Sequence, residues 1–480
     1  MRFLSIAISL IFLFSCSMGK KEVNTSFPQK PNIILIMVDD LGWGDVGFNG
    51  NQKIKTPNLD KLASKGFRLS RFYSAAPVCS PTRASCLTGR NPNRMGIPGA
   101  NTGHMLKEEI GLAEVLKAMG YRTGHFGKWH LGTLTTQMKD ANRGKAGDST
   151  HYSIPSMHGY DAYFCTESKV PTYDPLIKPL EFDTAKGESL RYGWAAAIEA
   201  KKEVEEYGTW YWSGIEERVL KEMEGENTRI IMDQVLQFLK RNQKTPFFTT
   251  IWPHTPHLPV VAAKKYRDMY AGLSHEEQLY YGSITAMDEQ IGRLWNYLAE
   301  NGIAENTMIW FCSDNGPENR TPGSAAHFRG RKRSLYEGGL RVPAFMLWPE
   351  KFDQGKELDF PMYTSDYLPT ILDFLEVEEK IHDYPLDGIS LRDVFEGKKN
   401  KRQAGMGFMH RNGAKSWVHQ QYKLISPKKD AAFELYDLLT DPSEENNLAS
   451  QYPAILSELK RELEEWSASV ERSNEGADYP

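Results

Sequence analysis

Bulk charge is the first thing this sequence lacks. Its 58 basic and 62 acidic side chains nearly cancel over 480 residues, leaving a net charge of −4. A chain so balanced has no general attraction for nucleic acid, and any anion it recognises must meet a local cluster of cations. Long apolar runs are equally scarce: Phe3 to Phe14 is too short to span a bilayer as a stable helix, and no later segment is apolar enough. Cysteine is rare, with Cys16, Cys79, Cys86, Cys165 and Cys312 making up the whole complement. Internal repeats and low-complexity segments are absent. What remains is an ordinary globular composition, 40% hydrophobic and 25% charged, in a chain long enough for one large core and a smaller companion.

The first residues read as an export signal: one basic residue, the apolar run, then small residues around a cysteine. Leu13-Phe14-Ser15-Cys16 resembles the lipobox of bacterial lipoproteins, in which the cysteine is acylated and becomes the new N-terminus. The expectation is export to the periplasm or cell surface with lipid on Cys16, the only membrane contact, or otherwise plain secretion. Residues 1–16 form the signal and polar residues 17–30 a tether. With Cys16 lipidated and Cys79 used in chemistry, Cys86, Cys165 and Cys312 are expected as buried free thiols.

The fold begins at Pro31. Asn32 to Val38 is a continuous apolar run of strand length, as in a parallel sheet covered on both faces. Thr56-Pro57 opens a helix closed by Gly66, and a second helix closes at Gly120. Helices at 228–241 and 275–301 are each followed by an apolar run, Pro246 to Trp252 and Thr307 to Cys312. Strands alternating with helices of this length predict an α/β sandwich. Residues 133–225, rich in Gly, Lys and aromatics, read as a long irregular insertion near the mouth of a site. After about Asp387, short runs followed by an acidic helix predict a small C-terminal α+β subdomain. The division is therefore 31–386 for the main domain and 387–475 for the subdomain.

In open α/β sheets, ligands gather beyond the carboxyl ends of the strands. Four apolar runs here end in ionisable residues: Asp39 and Asp40; Lys128 and His130; His254 and His257; Asp314 and Asn315. Asp39, Asp40, Asp314 and Asn315 offer only hard oxygen ligands, which suits Ca²⁺ or Mg²⁺ and disfavours zinc. One such pair alone is an ordinary turn; two pairs, each following a buried strand, argue for a site.

The segment Cys79-Ser80-Pro81-Thr82-Arg83-Ala84-Ser85-Cys86-Leu87-Thr88-Gly89-Arg90 carries the rest. Pro81 suits the first turn of a helix whose free N–H groups favour an anion, and Arg83 adds a fixed charge beside Cys79. The segment resembles the signature C-x-P-[ST]-R-x-x-x-[LM]-T-G-R of the formylglycine-dependent (type I) sulfatases and matches every fixed position. Gly120-Tyr121-Arg122-Thr123 with Gly127-Lys128-Trp129-His130-Leu131-Gly132 resembles the second signature of that family. Ser313 to Glu318, Phe328 to Lys332, Tyr336 to Gly339, and Glu434 to Asp437 with Asp441-Pro442 follow in the family's order.

The resemblance implies the alkaline-phosphatase-like fold, a large mostly parallel sheet flanked by helices, and hydrolysis of sulfate monoesters through a formylglycine hydrate and a sulfoenzyme intermediate. It implies that Cys79 is the formylglycine, made by a formylglycine-generating enzyme. Asp39, Asp40, Asp314 and Asn315, with residue 79, bind one Ca²⁺ or Mg²⁺. Arg83 and His130 hold and activate the hydrate, Lys128 and Lys332 grip sulfate oxygens, and His257 or Lys332 protonates the leaving alcohol. His254 lies in a Pro-His-Thr-Pro like the Pro-His-Leu-Pro of His257 and stands as a supporting or substrate-binding candidate. In the insertion, Tyr152, Tyr160, Tyr163, Tyr173, Trp194, Tyr207, Trp210, Tyr211 and Trp212 could stack on sugar faces, although aromatics are more often core. Export with lipidation favours a sulfated polysaccharide or oligosaccharide as substrate. Two rivals stay open at this point, a phosphodiesterase or phosphonate hydrolase of the same superfamily and a catalytically silent glycan-binding lipoprotein.

Overall fold

A computed structural model describes residues 30–352, 355–377 and 383–479; the signal, the tether and Cys16 lie outside them. The elements that matter are, in chain order, β1 (Asn32–Val38), α1 (Pro57–Lys65), β2 (Phe67–Leu69), α2 (Cys79–Thr88), α3 (Leu112–Ala118), β3 (Arg122–Lys128), β4 (Ala162–Thr166), β5 (Tyr211–Gly214), β6 (Glu217–Val219), α4 (Asn227–Arg241), β7 (Phe247–Trp252), α5 (His275–Glu300), β8 (Thr307–Ser313), β9 (Phe345–Leu347), β10 (Lys356–Leu358) and α6 (Tyr367–Phe374). The ten strands form one sheet in the order β6-β5-β4-β3-β7-β1-β8-β9-β2-β10. The five at its centre, β4, β3, β7, β1 and β8, run parallel, and antiparallel strands join on either side.

The continuous apolar run of β1 follows from burial on both faces. Ile33, Leu35 and Met37 enter one core, while Ile34, Ile36 and Val38 enter the other. Helices α2, α3 and α6 cover the first face; α1, α4 and α5 cover the second. Local chemistry sets several boundaries. Ser274 and Glu277 exchange hydrogen bonds in a capping box at the start of α5, at 3.1 and 3.2 Å. Pro57 occupies the first turn of α1, where its missing N–H costs nothing.

Two readings of the 133–225 segment are corrected. It is not wholly an insertion, because Ala162–Thr166 is the fifth parallel strand and the β5–β6 hairpin extends the sheet beyond it. A five-residue strand becomes apolar on both faces only through its neighbours, so its own pattern is too short to read. The aromatics marked for stacking on sugars are largely core: Tyr160, Tyr163, Trp194, Trp210, Tyr211 and Trp212 are buried. Tyr152, Tyr173 and Tyr207 are half-buried.

Toward the C-terminus, β11 (Met406–Met409), β12 (Lys415–His419), β13 (Tyr422–Ser426) and β14 (Glu434–Asp437) form an antiparallel meander, and α7 (Pro453–Asn474) packs on it. A buried ion cluster ties this sheet to the main body. Lys423 Nζ lies 2.9 Å from both Glu337 Oε1 and Glu444 Oε1, with all three side chains fully buried. Glu337 belongs to the turn that follows Lys332, so the C-terminal sheet braces a loop of the site. Cys86, Cys165 and Cys312 are free and buried, as expected.

Candidate active site

Because the central strands are parallel, their carboxyl ends share one edge. The register Val38↔Ser313 sets Asp39 beside Asp314, and Trp252↔Gly127 brings the segment after β7 beside Lys128. Strand alternation would send Asp39 and Asp40 to opposite faces. Asp40 instead takes φ 68°, a left-handed turn that is costly for a non-glycine residue. As a result Asp39 Oδ2 accepts from Lys128 Nζ at 2.8 Å and Asp40 Oδ1 accepts from Lys332 Nζ at 2.5 Å, on one site. Ligand atoms of Asp39, Asp40, Cys79 and His257 lie within 4.8 Å of one another.

Cys79 is the first residue of α2, which has no side-chain cap, and Lys332 Nζ reaches its Sγ at 3.6 Å. Arg83, one turn on, is fully buried; its Nη2 donates to Asp314 Oδ2 at 2.6 Å and lies 3.6 Å from Asp39 Oδ1. Asp314 Oδ1 accepts from the Asp40 N–H at 3.2 Å, and Asn315 Nδ2 donates to Asp40 Oδ1 at 2.7 Å. Asp39 Oδ1, Asp40 Oδ2 and Asn315 Oδ1 are buried without a hydrogen-bond partner. Buried acceptors left unpaired are costly, and with ligand atoms of Asp39 and Asp40 already converging these oxygens fit a hard divalent cation.

The charges are strongly perturbed. Burial disfavours the Asp39 carboxylate, but Lys128, His257, Arg83 and Lys332 hold it well below the usual carboxylate range. Burial and the Asp39 charge push Asp314 up to about 7. Burial likewise works against the Lys332 ammonium, yet Asp40 and its other anionic neighbours keep it firmly protonated, well above the ordinary lysine range. Burial pushes the Cys79 thiol up to about 12, so the unmodified side chain is a poor thiolate nucleophile.

The three histidines divide by environment. His130 Nε2 meets Asn101 Oδ1 at 2.9 Å; an amide oxygen only accepts, so Nε2 carries the proton and the buried, unpartnered Nδ1 is a free acceptor. Burial, with Lys128 and Arg83 nearby, holds this ring neutral. His257 Nδ1 donates to Leu258 O at 2.6 Å, leaving Nε2 3.6 Å from Asp40 Oδ2. Burial outweighs Asp39 and Asp40 and lowers its pKa to about 4. His254 does not line the cavity. It is fully buried, bonded to Thr166 Oγ1 at 2.8 Å and Asn227 Nδ2 at 3.0 Å, so the substrate-contact reading is set aside.

Above this floor opens a cavity of about 540 Å³ lined by Cys79, Lys128, His130, His257 and Lys332, the residues singled out in the sequence. Its lining holds others that sequence reasoning missed: Asn101, Lys169, Arg191, Arg320, Arg333 and Arg411. None of the nine aromatics of the 133–225 segment reaches it.

Comparisons with known proteins place the chain among its relatives. The Sulfatase family profile matches residues 31–377, and that of the N-sulphoglucosamine sulphohydrolase C-terminal region matches residues 326–469. The chain is 30% identical to the steryl-sulfatase of Mus musculus, over 78% of its own length and 66% of that protein's. To the N-acetylgalactosamine-6-sulfatase of Sus scrofa it is 32% identical, over 76% and 66%. It thus spans about two thirds of these relatives. Among solved structures, that of Ps i-CgsB in complex with k-i-k-neocarrahexaose superposes with a TM-score of 0.77 at 28% identity, covering 92% of this chain and 93% of that one. The sheet, the helices on its two faces and the profile matched along residues 31–377 lead to one conclusion: this chain belongs to the sulfatase family, with the alkaline-phosphatase-like fold.

Proposed function

We propose that this protein is a sulfuric ester hydrolase acting on a sulfated carbohydrate, with Cys79 matured to formylglycine by a formylglycine-generating enzyme and one Ca²⁺ or Mg²⁺ held by Asp39, Asp40, Asp314 and Asn315. The observation that carries the reading is the position of Cys79, at an uncapped helix start between Lys332 and the orphaned aspartate oxygens, at the bottom of a cation-rich cavity. When bound, the cation supplies charge stabilisation, and the matured residue supplies a hydrated aldehyde as nucleophile.

The chain's own residues do the rest. Lys332 and Lys128 grip sulfate oxygens, offsetting the charge that repels nucleophiles from an anionic ester. Arg83, locked to Asp314, fixes the carboxylates beside residue 79. The free Nδ1 of His130 is placed to take a proton. Between the two candidates for protonating the leaving alcohol, Lys332 already carries its proton. For His257, whose Nδ1–H is held by Leu258 O and whose ring burial keeps neutral despite Asp39 and Asp40, a second proton depends on the further negative charge of the bound ester. His257→Gln is expected to cut kcat/KM by about 10²-fold or more on a sugar sulfate, whose alkoxide needs a proton. On 4-nitrophenyl sulfate, whose leaving group needs none, the loss is expected to be far smaller; equal losses on both would assign proton donation to Lys332.

The polar, cationic lining suits a hydroxylated anion better than a steroid, and supports a sugar substrate. Against the phosphodiesterase or phosphonate hydrolase rival, the test is direct. The matured enzyme is expected to hydrolyse 4-nitrophenyl sulfate with kcat/KM about 10²-fold or more above that for 4-nitrophenyl phosphate and bis(4-nitrophenyl) phosphate. A preference for either phosphate ester would overturn the sulfatase reading. The glycan-binding lipoprotein is disfavoured because Cys79, Lys128, His130, His257 and Lys332 line one cavity, with Arg83 buried one helical turn behind Cys79.

Export with lipid at Cys16 belongs to the same reading. No helix among the described residues is long and apolar enough to cross a membrane. Fatty-acid labelling is expected to mark the wild type and not Cys16→Ala; unlabelled wild type would leave plain secretion.

A further inference from the structure

Each inner cation has an aspartate partner, Arg83 with Asp314, Lys128 with Asp39 and Lys332 with Asp40. The rest of the cavity lining is less evenly paired. It sets Lys169, Arg191, Arg320, Arg333 and Arg411 against Glu318 alone. Arg333 is committed to Glu318 by two bonds, at 3.0 and 2.9 Å, and Arg320 Nε stands 4.0 Å from the same carboxylate. The side chains of Lys169, Arg191 and Arg411 make no hydrogen bond or ion pair with any described residue.

Lys169 follows β4, Arg191 precedes the short strand Gly193–Ala195 in the long β4–β5 connection, and Arg411 sits in the β11–β12 turn of the C-terminal sheet. Lys169 is the most constrained. It is half-buried, and burial together with Lys128, Lys332 and Arg320 lowers its pKa. Arg411 lies along Gly99, where an added Cβ would meet its Cδ at 3.2 Å, so it flanks the opening on the Asn101 side. Unpaired cations lining one cavity raise its positive potential, which favours a bound anion. The ester's single negative charge is taken up by Lys128 and Lys332 below.

We propose that the substrate carries a second anionic group, a sulfate or a carboxylate, on the esterified sugar or its neighbour, with Lys169 as its contact and Arg191 and Arg411 as the flanking cations. The inference rests on the sulfatase reading and narrows its substrate to polyanionic glycan fragments.

The test compares disaccharide sulfates in matched sets at fixed ionic strength: one sulfate, two sulfates, and one sulfate with a uronic carboxylate. They serve as substrates, or as inhibitors of 4-nitrophenyl sulfate hydrolysis where they are not turned over. In wild type, at least one class of doubly charged member is expected to bind or react about tenfold better than its singly charged counterpart, and the class that does so identifies the second group. Lys169→Gln is expected to bring that ratio to within about twofold, and Arg191→Gln with Arg411→Gln to lower it partway. Equal values across each set in wild type, or a preference undiminished in Lys169→Gln, would overturn the proposal. Absence of 4-nitrophenyl sulfate hydrolysis by matured wild type would instead remove the sulfatase reading beneath it.

Discussion

Cys79→Ser is expected to give an enzyme that turns over at most about once and then carries sulfate covalently on the introduced hydroxyl. The two hydroxyls of a hydrated aldehyde have separate tasks: one attacks sulfur, and the other loses a proton so that sulfate is expelled and the aldehyde reforms. Serine supplies the first and lacks the second. Release would then need water to attack an anionic ester deep in the floor of the cavity, where residue 79 is only 2% exposed. Mass analysis of the variant's peptide spanning residue 79, after incubation with substrate, checks this, alongside an aldehyde mass at the same position in active wild type. Sustained turnover by the serine variant, or full activity with an unmodified Cys79, would sink the formylglycine assignment. The thiol in this structure is itself poorly suited to attack, since burial pushes its pKa up to about 12.

Removal of the divalent cation is expected to abolish activity and to lower thermal stability together. Asp39 Oδ1, Asp40 Oδ2 and Asn315 Oδ1 are buried with no donor to satisfy them, so a bound cation stabilises the folded state through contacts the unfolded chain cannot reproduce. Calcium at a hundredfold excess over its dissociation constant should stabilise the fold by about 2.7 kcal/mol, read as a rise in Tm that chelation reverses. The binding also has a pH sign. Asp314 holds its proton up to about 7 in the cation-free site, and a ligand must be deprotonated. Affinity is therefore expected to rise as pH increases through 7 and level off above it. Activity that survives stringent chelation, with no Tm response to calcium or magnesium, would remove the cation from the mechanism.

Much of the floor of the site was legible from residue order because most of its parts follow a strand or open a helix, while Lys332 stands in a loop and was marked only by its motif. Asp39–Asp40, Lys128, His257 and Asp314–Asn315 come directly after apolar runs, and parallel strands leave those ends no choice but to share one edge. His254 shows where that logic stops: it stands three residues before His257 in a near-identical context, yet its ring turns inward to Thr166 and Asn227. Only packing distinguishes the two.

The sequence by itself determined the α/β architecture, the covered strands, the hard-oxygen character of the aspartate set and the place of Cys79 at a helix start, because each is written in local periodicity or in a contiguous motif. Tertiary structure alone decided the rest. Most of the aromatics marked in residues 133–225 became core, since which surfaces meet decides whether a given aromatic is covered. The fifth parallel strand emerged from a stretch too short to show a period. Lys169, Arg191 and Arg411, far apart in the chain at the extremes, came to line one cavity only in the folded protein, where charges interact across space and not along the chain.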